Sequence, residues 1–139
     1  MSRNPPPAGT PKYKARGVRY DDRFFASIAE CDRYKVLKDR QRRGIIAGLQ
    51  CQTRFRIREN RDNEKEKPFC TYVADFEYFS DGAVVVEDVK GYTRPGNPVY
   101  SLYKLKRTLV RIWFGIHVRE IKKTRHGWNV DGEPEGVVE

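Results

Sequence analysis

Asp75, Asp88 and Lys90 are the residues whose types and spacing suit chemistry on a phosphate ester. The segment 71–79 is rich in β-branched and aromatic residues, stops at Ser80-Asp81-Gly82, and resumes over 83–90 as Ala-Val-Val-Val-Glu-Asp-Val-Lys. Asp-Gly between two such runs predicts a hairpin closed by a two-residue type I′ turn. Ser80 then faces Ala83, and counting outward sets Asp75 across from Asp88, with Cβ atoms ~5 Å apart. Like charges at that separation destabilise a sheet, and a cation held between them reverses the penalty. Because side chains alternate along a strand, Lys90 shares the face of Asp88, while Glu87 turns to the other face, opposite Phe76.

Two facing carboxylates beside a lysine match the needs of metal-assisted phosphodiester hydrolysis. Mg²⁺, or Mn²⁺ in its place, takes oxygen ligands, usually one or two carboxylates with waters and a substrate phosphate. Asp75 and Asp88 are the expected ligands, and the Val89 backbone carbonyl between the two functional side chains is a further one. Such an ion neutralises the scissile phosphate and lowers the pKa of a bound water. Lys90 would orient or deprotonate that water, or stabilise the charged transition state. Glu87 reads as a salt-bridge partner or a support behind the ligands rather than as a ligand.

The charge distribution suits a polyanionic substrate. The chain has 139 residues, a net charge of +9 and a pI near 9.6. Residues 1–50 carry twelve Lys/Arg against five Asp/Glu, residues 51–97 eight against nine, and residues 98–139 eight against five. The carboxylate pair thus lies in a near-neutral segment between two basic ones, as a site on a phosphate chain requires, although a solvated basic surface has the same composition. No apolar stretch approaches 18 residues and no signal-peptide core is present, so a soluble, intracellular chain without membrane contact is expected. Cys31, Cys51 and Cys70 are widely spaced and lack a C-x-x-C pair, which argues for reduced thiols rather than a zinc site.

The elements that must position these residues are legible in outline. Residues 1–15, with Pro5-Pro6-Pro7, read as a disordered arm. Val18 to Tyr20 reads as a short strand. Ser27 is a helix N-cap, with Glu30 completing a capping box. The helix is expected over 28–43, with Ile28, Cys31, Tyr34 and Leu37 inward and Arg33, Lys35, Lys38, Arg40, Arg42 and Arg43 outward, and Gly44 ends it. A strand-like stretch covers 50–58, and a polar loop follows over 59–67. A loop covers 91–98, where Tyr92 and Arg94 could contact DNA. A second helix is expected over 99–114, with Leu102, Leu105, Leu109 and Ile112 or Trp113 inward and Lys104, Lys106, Arg107 and Arg111 outward. A final strand spans 116–121, and 127–139 reads as a loose tail. The domain proper is therefore 16–126, an α/β chain of the α+β kind. Its order is α-β-β-β-α-β, a mixed sheet with a helix at each end of the core.

The order acid, hairpin, D-x-K resembles the PD-(D/E)XK nuclease signature. More closely, Phe25-Ala26-Ser27-Ile28-Ala29-Glu30, Arg33-Tyr34, Gln52, 72–76, 86–91 and Tyr103-Lys104-Leu105-Lys106 resemble a family of short phage and prophage proteins in that superfamily, over roughly residues 18–121. Ala74 stands where the signature has proline. The resemblance implies a restriction-endonuclease-like core, dependence on Mg²⁺ or Mn²⁺, a DNA substrate and a bacterial host cytoplasm, with no nucleotide cofactor. It implies that Glu30, an acid on the first helix, holds a water or second metal, whereas the residues alone allow it to be only a capping-box member. By the same resemblance Lys104 and Lys106 approach the DNA backbone, and Arg33 and Arg107 are expected to join them. Gln52 either reaches the site from a neighbouring strand or satisfies a backbone group. The expected function is a metal-dependent DNA endonuclease acting on branched DNA such as a Holliday junction, working as a homodimer because cutting two strands needs two sites. The alternative is a non-catalytic basic DNA-binding protein that keeps the nuclease fold.

Overall fold

The computed structural model describes residues 17–91 and 96–136. The expected arm over 1–15 lies outside the described residues, as do Tyr92 and Arg94. A small hairpin of β1 (Val18–Tyr20) and β2 (Arg23–Phe25) leads into α1 (Ile28–Arg42). Then come β3 (Ala47–Ile57), β4 (Cys70–Ser80), β5 (Ala83–Val89), α2 (Pro98–Phe114), β6 (Val118–Thr124), β7 (Gly127–Val130) and β8 (Glu133–Pro134). From α1 to β6 this is the expected α-β-β-β-α-β order.

The six strands β3 to β8 form one sheet in sequence order. All neighbours are antiparallel except β5 and β6, which run parallel. A parallel pair cannot be joined by a tight turn, and α2 supplies the crossover. The sheet is mixed for that reason. Each helix covers its own buried cluster. Cys31, Tyr34 and Leu37 of α1 pack with Phe76, Tyr78, Val85 and Ile121. Tyr103 and Val110 of α2 pack with Phe55, Ile57, Tyr72, Ala74, Val86 and Val118. Val85 and Val86 are successive strand residues, so the two clusters lie on opposite faces of β5.

The strand pair β3/β4 changes allegiance part-way along. Cys51 and Phe76, which pair, serve the α1 cluster, whereas the pairs Thr53/Ala74 and Phe55/Tyr72 lie toward that of α2. The changeover falls at Gln52, which takes a left-handed φ of 58°. Register places Gln52 opposite Asp75. A non-glycine residue in that conformation costs on the order of 1–3 kcal/mol.

Three expectations are corrected, besides that of an inward Ile28, which is exposed. Residues 127–134 of the expected tail are not loose: β7 and β8 extend the sheet, turning at Asp131-Gly132, both with positive φ. Arg33 does not face solvent. Its side chain is fully buried and bidentate to Glu87, with Nε–Oε1 and Nη2–Oε2 both 2.8 Å. It donates two more bonds, of 3.0 and 2.9 Å, to Glu135 just beyond β8. The Trp128 ring centroid lies 5.2 Å from its guanidinium, and Arg40 reaches Glu135 at 2.9 Å. A buried guanidinium is tolerable only with its charge and donors matched, and two carboxylates do this. Third, α2 is rotated from its expected setting. Leu102, Leu105 and Ile112 are exposed and Tyr103 and Val110 are buried, while Leu109 and Trp113 of the expected inward set do pack on the cluster. The stripes 102/105/109/112 and 103/106/110/113 differ by one residue, about 100° of rotation. The broad Tyr103 ring, against Tyr72 at 6.2 Å, wins the inward position.

Burial raises the Glu135 carboxyl, but hydrogen bonds from Arg33 and Arg40 outweigh it and hold the group at about 2. The stabilisation from this lowered value is complete above about pH 4.5 and is lost as the pH falls toward 2. Arg33→Met strands the buried Glu87 charge. It should cost about 3–5 kcal/mol in urea unfolding at pH 7, and a loss under about 1 kcal/mol would remove the pair from its structural role.

Candidate active site

The hairpin forms in the expected register. Ser80 pairs with Ala83 and Phe76 with Glu87, and Asp81 and Gly82 have φ of 52° and 79°, the left-handed pair of a type I′ turn. Continuing that register sets Asp75 against Asp88. Beyond Phe76 the ladder gives way: one Asp75 oxygen accepts the Val89 N–H at 2.8 Å, tying the two strands through a carboxylate. Asp88 is buried, 4 % exposed. Its Oδ2 accepts the Tyr72 hydroxyl and lies 3.3 Å from Lys90 Nζ. The ammonium sits 3.9 Å from the Tyr103 ring centroid, a cation–π contact that fixes it without neutralising it. The Lys90 N–H donates to the Ile121 carbonyl at 2.8 Å, so β6 anchors the strand end that carries the lysine.

These residues line a cleft of about 350 Å³ together with Glu30, Thr71, Val73, Val99, Leu102 and Lys106. Ser27 caps α1 by accepting the Glu30 N–H at 3.1 Å, which aims the first turn of the helix at the cleft. The capping bond and the cleft position of Glu30 therefore coexist. Burial, then the charge of Asp88, pushes the Glu30 carboxyl above its usual value, with Lys90 opposing. For Asp75 burial is again the largest cause, followed by the charge of Asp88 and hydrogen bonding to it. The carboxyl is pushed up to about 9, against the opposing Val89 N–H. The pair thus retains a proton at neutral pH, the cost of holding two carboxylates together out of water. Burial and the Asp88 charge likewise drive the Tyr72 hydroxyl far above its ordinary value, so Tyr72 acts as a neutral donor.

The donor set suits a hard divalent cation. Asp75 and Asp88 offer oxygen, and the Val89 backbone adjoins them. Among the described residues no three carboxylate, histidine or cysteine side chains form a group able to enclose an ion. Any ion here would complete its shell with water or substrate, as a catalytic ion must. Glu30 stands on the cleft wall.

Of the other expected site residues, Lys106 lines the cleft and reaches the Thr71 carbonyl at 3.3 Å. Lys104 is exposed, with Nζ 5.4 Å from the Tyr100 ring centroid. Arg107 is half-buried, bonding the Tyr103 hydroxyl at 3.2 Å and lying 3.8 Å from Glu120. Arg33 leaves the set of DNA-facing residues, because it is buried in its ion pairs. Glu87 is the expected salt-bridge partner, fully buried, held by Arg33 and by the Tyr78 hydroxyl. Gln52, opposite Asp75, is exposed and left-handed. Tyr72 and Tyr103 escape sequence reasoning. Alternation sends Tyr72 to the face opposite Asp75, and only the changeover at Gln52 brings it to Asp88.

Fold and site together define an α+β protein with a hairpin-borne carboxylate pair and a lysine in an open cleft. The chain belongs to the DUF1064 family, described as a protein of unknown function, whose model matches residues 10–125. No curated protein and no solved structure matches it. No helix among the described residues is long and apolar enough to cross a membrane. The free thiols of Cys31, Cys51 and Cys70 accord with the expected reduced cysteines.

A group whose folded-state pKa is raised stabilises the protein at acidic pH and ceases to do so as the pH climbs through the folded value. In EDTA, thermal unfolding should therefore show stability falling between about pH 4 and 9, and Asp75→Asn should flatten that slope. An unchanged slope in the variant would place the retained proton elsewhere.

Proposed function

We propose that this protein is a metal-dependent DNA endonuclease. The observation that carries the reading is the facing pair of half-buried Asp75 and buried Asp88, flanked by Lys90, on the wall of an open cleft. Asp75 and Asp88, with the Val89 carbonyl, would hold Mg²⁺ or Mn²⁺, which supplies Lewis-acid activation of water and neutralises charge on the phosphate. Lys90, fixed between Asp88 and the Tyr103 ring, orients the attacking water and stabilises the charge that develops on the phosphoryl oxygens. Tyr72 holds Asp88 by donating to one of its carboxylate oxygens. Glu30, on the cleft wall, keeps a water or second ion in reach of the same phosphate.

The net charge of +9 favours DNA over small phosphate esters, and Lys106 at the cleft brings one cation close to the reacting bond. Branched DNA, such as a four-way junction, is the substrate favoured by the likeness to short phage nucleases, and a homodimer in the host cytoplasm is the form that cuts both strands. The competing reading is a basic DNA-binding protein without catalysis. Asp75, Asp88 and Lys90 are all intact and assembled, which favours the enzyme.

A nicking assay on supercoiled and four-way-junction DNA should show cleavage with Mg²⁺ or Mn²⁺ and none with EDTA. Asp88→Asn should lower the rate by more than about 100-fold, since even partners behind metal ligands are worth about 10- to 100-fold. DNA affinity should hold or rise, because a negative charge near phosphate is gone. Equal loss of binding and cleavage would refute the assigned role.

A further inference from the structure

β3 is an edge strand of the sheet; its second half carries Arg54 and Arg56 two residues apart, and Arg58 follows at the same spacing just past its end at Ile57. Phe55 and Ile57 between them are buried in the α2 cluster, so Arg54 and Arg56 point away from the core and are exposed. Residues two apart on a strand are separated by about 6.6–6.8 Å, close to the step between successive phosphates of an extended nucleic-acid strand. Neither Arg54 nor Arg56 has a carboxylate partner among the described residues. Glu64 shares a groove with the three arginines without forming an ion pair to them. Arg58 is braced by donating its Nε–H to the Glu66 carbonyl at 2.7 Å.

The ladder also abuts the cleft. Arg54 pairs across the sheet with Val73 and Arg56 with Thr71, and both partners line the cavity that holds Asp75, Asp88 and Lys90. Lys106 Nζ, on the Thr71 carbonyl, continues the positive charge from the strand edge to the cleft. We infer that Arg54, Arg56 and Arg58 form a track that binds successive phosphates of one DNA strand and leads it to the carboxylate pair. Only the destination of that strand rests on the nuclease reading; the binding track stands without it. Charges on an edge strand also prevent edge-to-edge pairing of sheets. That role calls for charge of either sign, whereas this run is arginine only.

Arginines that neutralise phosphates release counterions, and the slope of log K against log salt counts them, at about 0.9 per contact on duplex DNA and 0.7 on a single strand. The test is the salt dependence of DNA binding by the full chain, by fluorescence anisotropy in EDTA, for wild type and for Arg54→Gln/Arg56→Gln. The expected result is a slope shallower by about 1.8 on duplex or about 1.4 on single-stranded DNA, with each single variant giving about half that change. Arg42→Gln/Arg43→Gln removes the same charge at the end of α1 and should leave the slope within a few tenths. Equal loss in that control pair overturns the track in favour of diffuse attraction. Unchanged binding in the β3 variants overturns it too, and self-association in gel filtration would then assign the arginines to edge protection. Cleavage with Mg²⁺ separates the two ideas. Wild type that never nicks, with the β3 slope change intact, refutes the nuclease and keeps the track.

Discussion

A two-residue turn holds two negative charges together. Asp81 and Gly82, both left-handed, leave the hairpin one register, and that register sets Asp75 against Asp88 at its far end. Sliding β5 by one residue would throw every side chain to the opposite face and bury the wrong set, so the core itself enforces the pairing. The repulsion is met locally in three ways: a proton retained on the pair, the Tyr72 hydroxyl on Asp88, and the Lys90 ammonium 3.3 Å away.

The second constraint is electrostatic and lies behind the site. Glu87, the neighbour of Asp88, points to the other face and is fully buried against Arg33. Arg33 is one turn along α1 from Glu30, and Glu135 clamps both Arg33 and Arg40 of the same helix. The C-terminal β7/β8 hairpin therefore ties down the helix whose first turn reaches the cleft. That hairpin lies beyond residues 10–125, the span matched by the family model.

Legibility followed the range of the signal. The central hairpin and the Ser27 cap are written in a few adjacent residues, so pattern sufficed for both. The same Asp-Gly signal stands at Asp131-Gly132, between Trp128-Asn129-Val130 and Glu133, where the flanking strands are only four and two residues long. Arg33 was misplaced because its partners are 54 and 102 residues away, and nothing local distinguishes a buried helix arginine from a solvated one. Periodicity favoured the wrong setting of α2, because the inward stripe 103/106/110/113 carries Lys106 and reads as less apolar than 102/105/109/112. Tyr72 was hidden by strict alternation, which Gln52 breaks.

On the proposed reading, a divalent ion bound between Asp75 and Asp88 would displace the proton that burial keeps on Asp75. Calorimetric titration of Mn²⁺ at pH 7, in buffers of differing ionisation enthalpy, measures binding and proton release together. Binding with about one proton released per ion, and loss of both in Asp75→Asn, is the expected result. Absence of binding, or binding with no proton release that survives in the variant, would contradict it.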